Sequence, residues 1–182
     1  MKHLHTGLRF FLLMTLVTGL GYPLLITGIA KLMIPYQSTG SIVSIDGKPR
    51  GSALVGQNFK SPQYFWPRPS AINYDPLKPS GGSNLGPTSK KLQETVASNI
   101  KKWESTPENI PAELVYSSGS GLDPHITVKG AYFQIERISK ARGESDPNTI
   151  KSLVDNNSQD GEKVNVLLLN QALDEHYSVK NP

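Results

Sequence analysis

Residues 10–30 read FFLLMTLVTGLGYPLLITGIA and carry no charged side chain over 21 positions. A helix of about 20 residues can cross a hydrocarbon core of about 30 Å, and here the apolar character continues beyond Lys31 to Ile34. A cleavable secretory signal would instead have an apolar core of about 7 to 15 residues and a small-x-small cleavage site. The sequence therefore predicts a transmembrane helix over residues 10–34, in preference to a cleaved signal or a buried soluble helix.

Positive charge is distributed unevenly around this apolar stretch. Lys2 and Arg9 precede it, whereas Lys31 alone follows it closely. Short segments rich in Lys and Arg stay on the cytoplasmic side of a membrane. The pattern predicts a single-pass protein in the bilayer of a bacterial inner membrane, with a short cytoplasmic amino terminus (residues 1–9) and an exported, periplasmic region (residues 35–182).

Small residues and a proline interrupt the predicted span. Small side chains let a neighbouring helix approach closely, and proline introduces a kink or a notch that a neighbour can fill. These positions therefore either pack against a partner helix or reflect the general frequency of Gly and Pro in membrane helices, and composition alone leaves both interpretations open. The residues concerned are Gly19, Gly21, Tyr22, Pro23 and Gly28.

The composition limits the remaining possibilities. Of the 182 residues, 37% are hydrophobic and 19% charged, and the 16 Gly and 14 Pro indicate a folded but loop-rich domain. The net charge of +4 derives largely from the basic residues that flank the span, so it does not indicate nucleic-acid binding. The chain contains no cysteine, which excludes disulfides, a thiolate nucleophile and Cys-based metal sites.

Extended segments open the exported region. Residues 41–45 (SIVSI) read as a strand, Asp46-Gly47 as a tight turn, and residues 50–55 as a second extended run. Residues 57–87 are dense in Pro, Gly, Ser and Asn with aromatic rings interleaved, which favours a long ordered loop. We expect most of these rings to fill the core of the domain itself.

Helical patterns follow the loop. Apolar spacing predicts an amphipathic helix over residues 89–103. Thr127 can cap a second helix that ends at Gly143, and Asp146 precedes a proline at the first position of a third, short helix.

The last segments complete the fold class. Residues 164–169 read as a buried strand or a strand-to-helix junction, and residues 170–176 as a final helical turn or two. The sequence thus predicts one transmembrane helix followed by a single loop-rich α+β domain.

No standard catalytic or cofactor motif is present: a phosphate-binding P-loop, a dinucleotide fingerprint and an H-E-x-x-H metal motif are all missing. Residues 118–125 (SGSGLDPH) contain Ser, Asp and His, the residue types of a hydrolase triad, but neither serine has the flanking glycines of a G-x-S-x-G elbow. His3 and His5 lie across the predicted membrane from His125 and His176, so no shared metal site is expected. We expect a Gly-rich turn here, no catalytic or metal-binding residue, and no enzymatic activity of the chain by itself.

Residues 80–84 form a second Gly-rich segment. Ser80, Gly81, Gly82, Ser83 and Asn84 can present backbone N–H groups and hydroxyls to an anion such as phosphate. An ordered turn that leads into the residue 89 helix explains the same residues, and no Lys or carboxylate for a metal-bound nucleotide accompanies them.

Several blocks of sequence occur in the order found in a known family. The longest runs from Arg50 to Phe59 (RGSALVGQNF). Through these blocks nearly the whole chain resembles the C subunit of the bacterial Kdp potassium-transporting ATPase, although Pro67 stands where the family usually places a small residue. The other blocks are Thr18-Gly19, residues 22–25, 64–65, 68–71, 80–85, 111–115 and 118–126, Gln134-Ile135 with Arg137, and residues 140–143, 164–170 and 172–174.

The resemblance implies an accessory subunit of an ATP-driven potassium importer, without catalytic activity of its own. The implied partners are a potassium-translocating channel-like subunit, a P-type ATPase subunit and a small membrane peptide subunit. No cofactor is expected on the chain alone, and ATP enters through the ATPase subunit. The family is also described as a catalytic chaperone that promotes ATP binding, with the segment at residues 80–84 compared to nucleotide-contacting signatures.

The predicted topology bears on this last role. ATP is hydrolysed on the cytoplasmic side, whereas the positive-inside pattern places residues 80–84 on the opposite side. We therefore expect an indirect effect, in which the subunit biases the conformational equilibrium of the pump.

Two other classes of protein compete with this interpretation. An anchored periplasmic enzyme would need a set of convergent catalytic residues, for which Ser120 and His125 are the testable members. An anchored binding protein could capture potassium with loop carbonyls and acids such as Asp123.

Overall fold

The computed structural model describes residues 2–45, 47–103 and 109–180. It divides into two compact units, residues 1–42 and 43–182. Asp46, the first residue of the predicted Asp46-Gly47 turn, lies outside the described residues.

The amino-terminal unit is helical. It contains α1 (Lys2–Leu16), one π-helical turn (Val17–Gly21), α2 (Tyr22–Met33) and a short α3 (Pro35–Ser38). The stretch His3–Met33 is long and apolar enough to cross a membrane, with a mean hydropathy of 1.8 and no part of its most apolar window buried. In length and composition it agrees with the predicted transmembrane helix, and the irregularity expected near Pro23 is a π-helical turn in the residues just before it.

A small sheet follows, made of β1 (Ile42–Ile45) and β2 (Lys48–Ser52). The predicted first strand is confirmed, but β2 begins and ends earlier than the expected run over residues 50–55. The reason is a turn: the Ser52 hydroxyl accepts a hydrogen bond from the Leu54 N–H, and the Ser52 carbonyl accepts one from the Val55 N–H.

The long loop is ordered by side chains from distant helices. Residues 57–87 contain no helix or strand, as predicted. The Phe65 side chain is fully buried in the core. The amide of Asn170 accepts from the Phe65 N–H at 2.8 Å and donates to its carbonyl at 3.1 Å, and Gln134 pairs in the same way with the backbone of Trp66 at 2.7 and 3.0 Å. The loop is thereby anchored to two helices, as a strand is anchored by a ladder of backbone hydrogen bonds.

Three helices lie where the sequence predicts them. In each, a side-chain oxygen of the preceding residue accepts a hydrogen bond from a first-turn backbone N–H. The left-handed backbone of Gly143 (φ 66°) ends the second helix, which explains the glycine at this position. The helices are α4 (Lys90–Lys101) after Ser89, α5 (Val128–Arg142) after Thr127, and α6 (Pro147–Asn156) after Asp146.

A second sheet lies against α5. It contains β3 (His125–Thr127), β4 (Ser158–Gln159) and β5 (Lys163–Asn165) in the antiparallel order β3-β5-β4. Ile126 lies opposite Val164, and both side chains are buried. Strands β3 and β4 were not predicted from the sequence, because three and two residues are too short to display an alternating pattern.

The carboxyl-terminal helix differs in extent from the prediction. Of the two interpretations of residues 164–169, the strand-to-helix junction is confirmed: β5 ends at Asn165 and α7 (Val166–Lys180) begins at once. The final helix is therefore much longer than a turn or two over residues 170–176. Its start is set by Asn165, whose Oδ1 accepts from the Leu167 and Leu168 N–H groups at 3.1 and 3.2 Å.

The core of the second unit is formed mainly by the long loop, the second sheet and the helices α5, α6 and α7. Helix α6 packs against α5 and α7, and α5 and α7 contact the second sheet. Removal of this apolar surface from water is the main stabilising contribution. The fully buried apolar side chains include Phe65, Leu114, Ile126, Ile138, Ile150, Val154, Val164, Leu169 and Leu173.

Candidate functional site

Residues 118–124, here called the hub loop, connect segments that are far apart in the sequence. The Gly56 N–H donates to the Leu122 carbonyl at 2.8 Å, and the Gly81 N–H donates to the Ser120 carbonyl at 2.9 Å. The Ser118 N–H in turn donates to the Pro69 carbonyl at 3.0 Å. Three of the sequence blocks that carry the family resemblance thus meet at a fourth.

Two glycines make this convergence possible. A Cβ on Gly56 would lie 2.5 Å from the Asp123 carbonyl oxygen and 2.6 Å from a Tyr74 ring carbon. A Cβ on Gly121, which has a positive φ of 69°, would lie 2.8 Å from the Gly81 carbonyl oxygen. Separations below 3.0 Å require the backbone to move, so the close approach of these loops depends on the absence of side chains.

Ser70 and Tyr74 connect the hub loop to the long loop through further hydrogen bonds. The Ser70 hydroxyl donates to the Gly121 carbonyl at 2.7 Å and accepts from the Ile72 and Tyr74 N–H groups. The Tyr74 hydroxyl donates to the Arg68 carbonyl at 2.5 Å, and burial raises the pKa of the phenol well above its usual value. The phenol therefore remains protonated and acts as a fixed hydrogen-bond donor.

Asp123 is the acid of the hub loop, and both of its oxygens are engaged. Oδ2 accepts from Arg68 Nη1 at 3.0 Å, and Oδ1 accepts from the His125 N–H at 3.0 Å. These contacts assign Asp123 to the internal hydrogen bonding of the site and do not favour potassium capture by its carboxylate. Among the described residues, no group of three His, Asp or Glu side chains could hold a metal ion.

The Ser and Asp residues of the hub loop and the adjacent His125 do not assemble a nucleophile and its base. The Ser118 and Ser120 hydroxyls accept hydrogen bonds from the Gly121 and Leu122 N–H groups, which is typical of tight turns. The His125 Nδ1 lies 3.7 Å from Asp123 Oδ1. Within the described ranges no hydrogen bond joins either serine to that imidazole, whose pKa is lowered by burial.

The segment at residues 80–84 packs on the hub loop. Both the Ser80 hydroxyl and the Gly81 N–H donate to the Ser120 carbonyl at 2.9 Å. A Cβ on Gly82 would lie 3.3 Å from the carbonyl oxygens of Ser118 and Gly119. Ser83 and Asn84 are exposed, and Asn84 has a positive φ of 52°. Two donors of the predicted anion-binding turn, the Ser80 hydroxyl and the Gly81 N–H, are therefore already engaged, while the nucleotide-related role of the segment stays a prediction.

A groove of about 540 Å³ lies beside the hub loop. Among the residues that the structure describes, its walls carry three cationic side chains (Lys60, Arg68 and Lys102) and no carboxylate. The ring centroids of Trp66 and Trp103 are 5.1 Å apart along it. This groove was not predicted from the sequence, because its walls come largely from the long loop and from α4 and the residues that follow it, whose proximity is not visible in local patterns. The aromatic rings that alternate with basic residues from position 59 to 74 are the one signal that could have indicated it.

Arg137 packs against Trp66, one of the residues that line the groove. Its guanidinium lies 3.9 Å from the centroid of the Trp66 ring and donates to the carbonyls of Pro62 and Tyr64. Burial lowers the pKa of Arg137 to about 10, so the side chain stays charged at neutral pH. The cation–π contact and the carbonyl bonds fix the orientation of the tryptophan.

The residues predicted to pack against a partner helix lie in the amino-terminal unit. Gly19 and Gly21 belong to the π-helical turn, while Tyr22, Pro23 and Gly28 belong to α2. All five are exposed in the structure. Their packing against a partner helix stays a prediction.

Comparison with known proteins gives a consistent result across the chain. The family model "KdpC: K+-transporting ATPase, c chain" matches residues 4–175. The potassium-transporting ATPase KdpC subunit of Caldanaerobacter subterraneus subsp. tengcongensis is 44% identical over 91% of this chain and 91% of its own length. Those of Janthinobacterium sp. (45% identical, 93% and 96% covered) and Yersinia pseudotuberculosis (42% identical, 100% and 97% covered) are similar throughout.

Proposed function

The chain belongs to the KdpC family, the c chain of K+-transporting ATPases, and on this premise we propose that it is a non-catalytic accessory subunit of an ATP-driven potassium import complex. The observation that carries the proposal is the extent of the match, which runs from residue 4 to residue 175 and so includes both the membrane helix and the α+β domain. The partners are a potassium-translocating channel-like subunit and a P-type ATPase subunit, with a small membrane peptide subunit as a further component.

The subunit is anchored by its single helix, with residues 1–9 in the cytoplasm and the domain exported. The charge asymmetry around the span supports this orientation. It also means that residues 80–84 do not reach the cytoplasmic ATP site of the ATPase subunit.

The subunit promotes ATP binding by the ATPase subunit indirectly. A ligand shifts a conformational equilibrium when it binds one state better than the other, and the same holds for a bound subunit. The hub loop, with its interlocking hydrogen bonds and glycine contacts, supports a domain that docks as a rigid body. The basic, aromatic groove beside it provides a surface for a partner that changes shape during the transport cycle.

The experiment compares purified complex with complex that lacks this chain. The proposal predicts that the concentration of ATP needed for half-maximal activity rises when the chain is removed and falls again when full-length chain is added back. Gly82→Ala with Asn84→Ala, placed in the otherwise complete complex, should leave the ATP dependence unchanged if the effect is indirect. An unchanged ATP dependence without the chain would reject the chaperone role.

A further inference from the structure

The groove beside the hub loop carries positive charge that its own walls do not balance. Lys60 and Lys102 line it, and both are exposed. Arg68 lines it as well, but its guanidinium is paired with Asp123. Lys102 Nζ donates to the neutral side chain of Asn99 at 2.8 Å. Neither lysine forms an ion pair with a described carboxylate, so the groove favours an anionic ligand.

Two amide side chains of the groove are free to bond a ligand. Asn58 and Asn73 line it and are exposed, and in the described part of the chain neither side chain has a hydrogen-bond partner. A side-chain amide can donate to a backbone carbonyl and accept from a backbone N–H. Asn170 bonds the backbone of Phe65 in this way inside the domain. The groove can therefore bond a peptide backbone beside its positive charge.

The aromatic part of the groove is fixed by bonds from its indole groups. Trp66 Nε1 donates to the Ser61 carbonyl at 2.9 Å, and Trp103 Nε1 donates to the Leu114 carbonyl at 3.3 Å. The polar atoms of both rings are thus used inside the domain, while the rings themselves are only partly buried. Rigid aromatic surface of this kind is enriched in protein interfaces, because little conformational entropy is lost when it is covered.

The wall formed by Asn73 and Tyr74 is held in an uncommon backbone conformation. Both residues have a positive φ of 58°, which is unusual for a residue as large as tyrosine. The Tyr74 N–H donates to the Ser70 hydroxyl at 3.0 Å, and the Tyr74 hydroxyl donates to the Arg68 carbonyl. Backbone strain persists where surrounding contacts fix it, and it is common at ligand-binding surfaces. The wall is therefore shaped before a ligand arrives.

The size of the groove bears on the kind of ligand. Its volume of about 540 Å³ exceeds what a single inorganic ion fills. An extended peptide with acidic side chains uses all of its features, since the carboxylates meet the lysines, the backbone meets the amides and the apolar atoms meet the tryptophans. Acidic segments that bind basic clusters are a recurring mode of peptide recognition.

We propose that this groove binds an extended acidic segment of a partner subunit. The inference rests on the proposed function, because the partner belongs to the same potassium-transporting complex and presents the segment on the exported side. It deepens that function by assigning a docking surface and the chemistry of what docks there. Lys60 and Lys102 contact the carboxylates of the segment, and Asn58 and Asn73 bond its backbone.

The test uses the complete complex, purified through a tag on another subunit. A photo-crosslinking amino acid replaces Thr95, which lines the groove and is exposed, and whose hydroxyl bonds only within α4. After irradiation, mass spectrometry maps the captured peptide. The expected result is one segment of a partner subunit that carries at least two Asp or Glu residues.

Charge reversal then tests the role of the lysines. Lys60→Glu with Lys102→Glu should lower the yield of this crosslink by about three- to tenfold, because two attractive contacts become repulsive. The matched control is Lys78→Glu with Lys101→Glu, which makes the same change at exposed positions of the same loop and the same helix, outside the groove lining. The control should keep the wild-type yield. About 1 M salt, which screens charges beyond about 3 Å, should reduce the difference between the groove variant and the wild type.

Each outcome decides the proposal. Capture of an acidic segment, with loss in the groove variant alone, supports it. Capture of a neutral or basic segment, of a lipid or of a second copy of this chain overturns it, and so does the absence of any capture. Equal losses in the groove and control variants would show an effect of overall charge and would also overturn it. Recovery of the chain with the complex is measured in the same samples: a chain that is absent from the complex contradicts the accessory-subunit role, whereas a chain that is present without the expected crosslink contradicts this inference alone.

Discussion

The side-chain amide of Asn170 in α7 pairs with both backbone polar groups of Phe65, accepting from its N–H at 2.8 Å and donating to its carbonyl at 3.1 Å. All of these atoms belong to buried residues. Because Phe65 lies in the middle of the long loop, one side chain from the last helix fixes the segment that builds the groove. The loop is therefore part of the folded core.

Asn170→Ala should lower the free energy of unfolding by about 2 to 4 kcal/mol, because it leaves a buried N–H and a buried carbonyl without partners. Urea unfolding of the full chain in detergent, followed by the fluorescence of Trp66 and Trp103, measures the change. Gln171→Ala is the control, since its side chain donates to the neighbouring Glu175 on the surface. Equal stability of the two variants would contradict the anchoring role of Asn170.

Gly56→Ala tests the close approach of the hub loop. The added methyl group would lie within 2.6 Å of the Asp123 carbonyl oxygen and the Tyr74 ring. Overpacking of this kind costs about 1 to 3 kcal/mol, and we expect a lower melting temperature together with reduced retention in the complex. Gly86→Ala, where a Cβ would meet nothing within 4 Å, should leave both measurements unchanged. A Gly56→Ala variant with the stability of wild type would show that the loops do not depend on this glycine.

His125 should make the domain less stable in mild acid. Burial lowers the pKa of the imidazole below its ordinary value, although the nearby Asp123 carboxylate acts in the opposite direction. Between the folded pKa and the unfolded value of about 6.5, the unfolded chain binds more protons. This contribution to stability is complete above about pH 6.5 and is lost as the pH falls towards the folded pKa.

The measurement for His125 is the urea midpoint at pH 7.5 and at pH 5.5. His125→Gln should lose less stability over this interval than the wild-type chain, because the group that takes up the proton is gone. Identical losses in both proteins would show that His125 does not contribute to the pH dependence.

Membrane orientation can be tested with single cysteines, because the chain has none of its own. Leu77 is 93% exposed in the domain, and His5 is exposed in the amino-terminal helix. In intact spheroplasts a membrane-impermeant maleimide should label Leu77→Cys and spare His5→Cys until the membrane is permeabilised. The reverse pattern would place the domain in the cytoplasm and remove the argument for an indirect effect on ATP binding.

Local signals in the sequence predicted the elements that depend on local contacts. The membrane helix follows from a long apolar run, and the starts of α5 and α6 follow from Thr127 and Asp146, whose side chains bond N–H groups two or three residues away. The start of α7 was ambiguous because residues 164–169 are apolar except for Asn165 and so show neither a helical nor a strand period.

The hub loop and the groove could not be predicted in the same way. Gly56, Gly81 and Leu122 are far apart in the sequence, and no pattern within any one segment reveals that their backbones meet. The glycines were visible, but their function is to permit contacts with other segments, which only the tertiary structure identifies. The π-helical turn was missed for a different reason: Pro23 predicted an irregularity in the helix without specifying its form.

The most direct measurement of the central claim is affinity purification of the tagged full-length chain from detergent-solubilised membranes of potassium-limited cells, with the co-purifying proteins identified by mass spectrometry. The account predicts that a channel-like potassium subunit and a P-type ATPase subunit are recovered with it, in amounts comparable to the tagged chain, and that potassium-stimulated ATP hydrolysis is present in the purified material. A chain that purifies alone and without ATPase activity would contradict the accessory-subunit role.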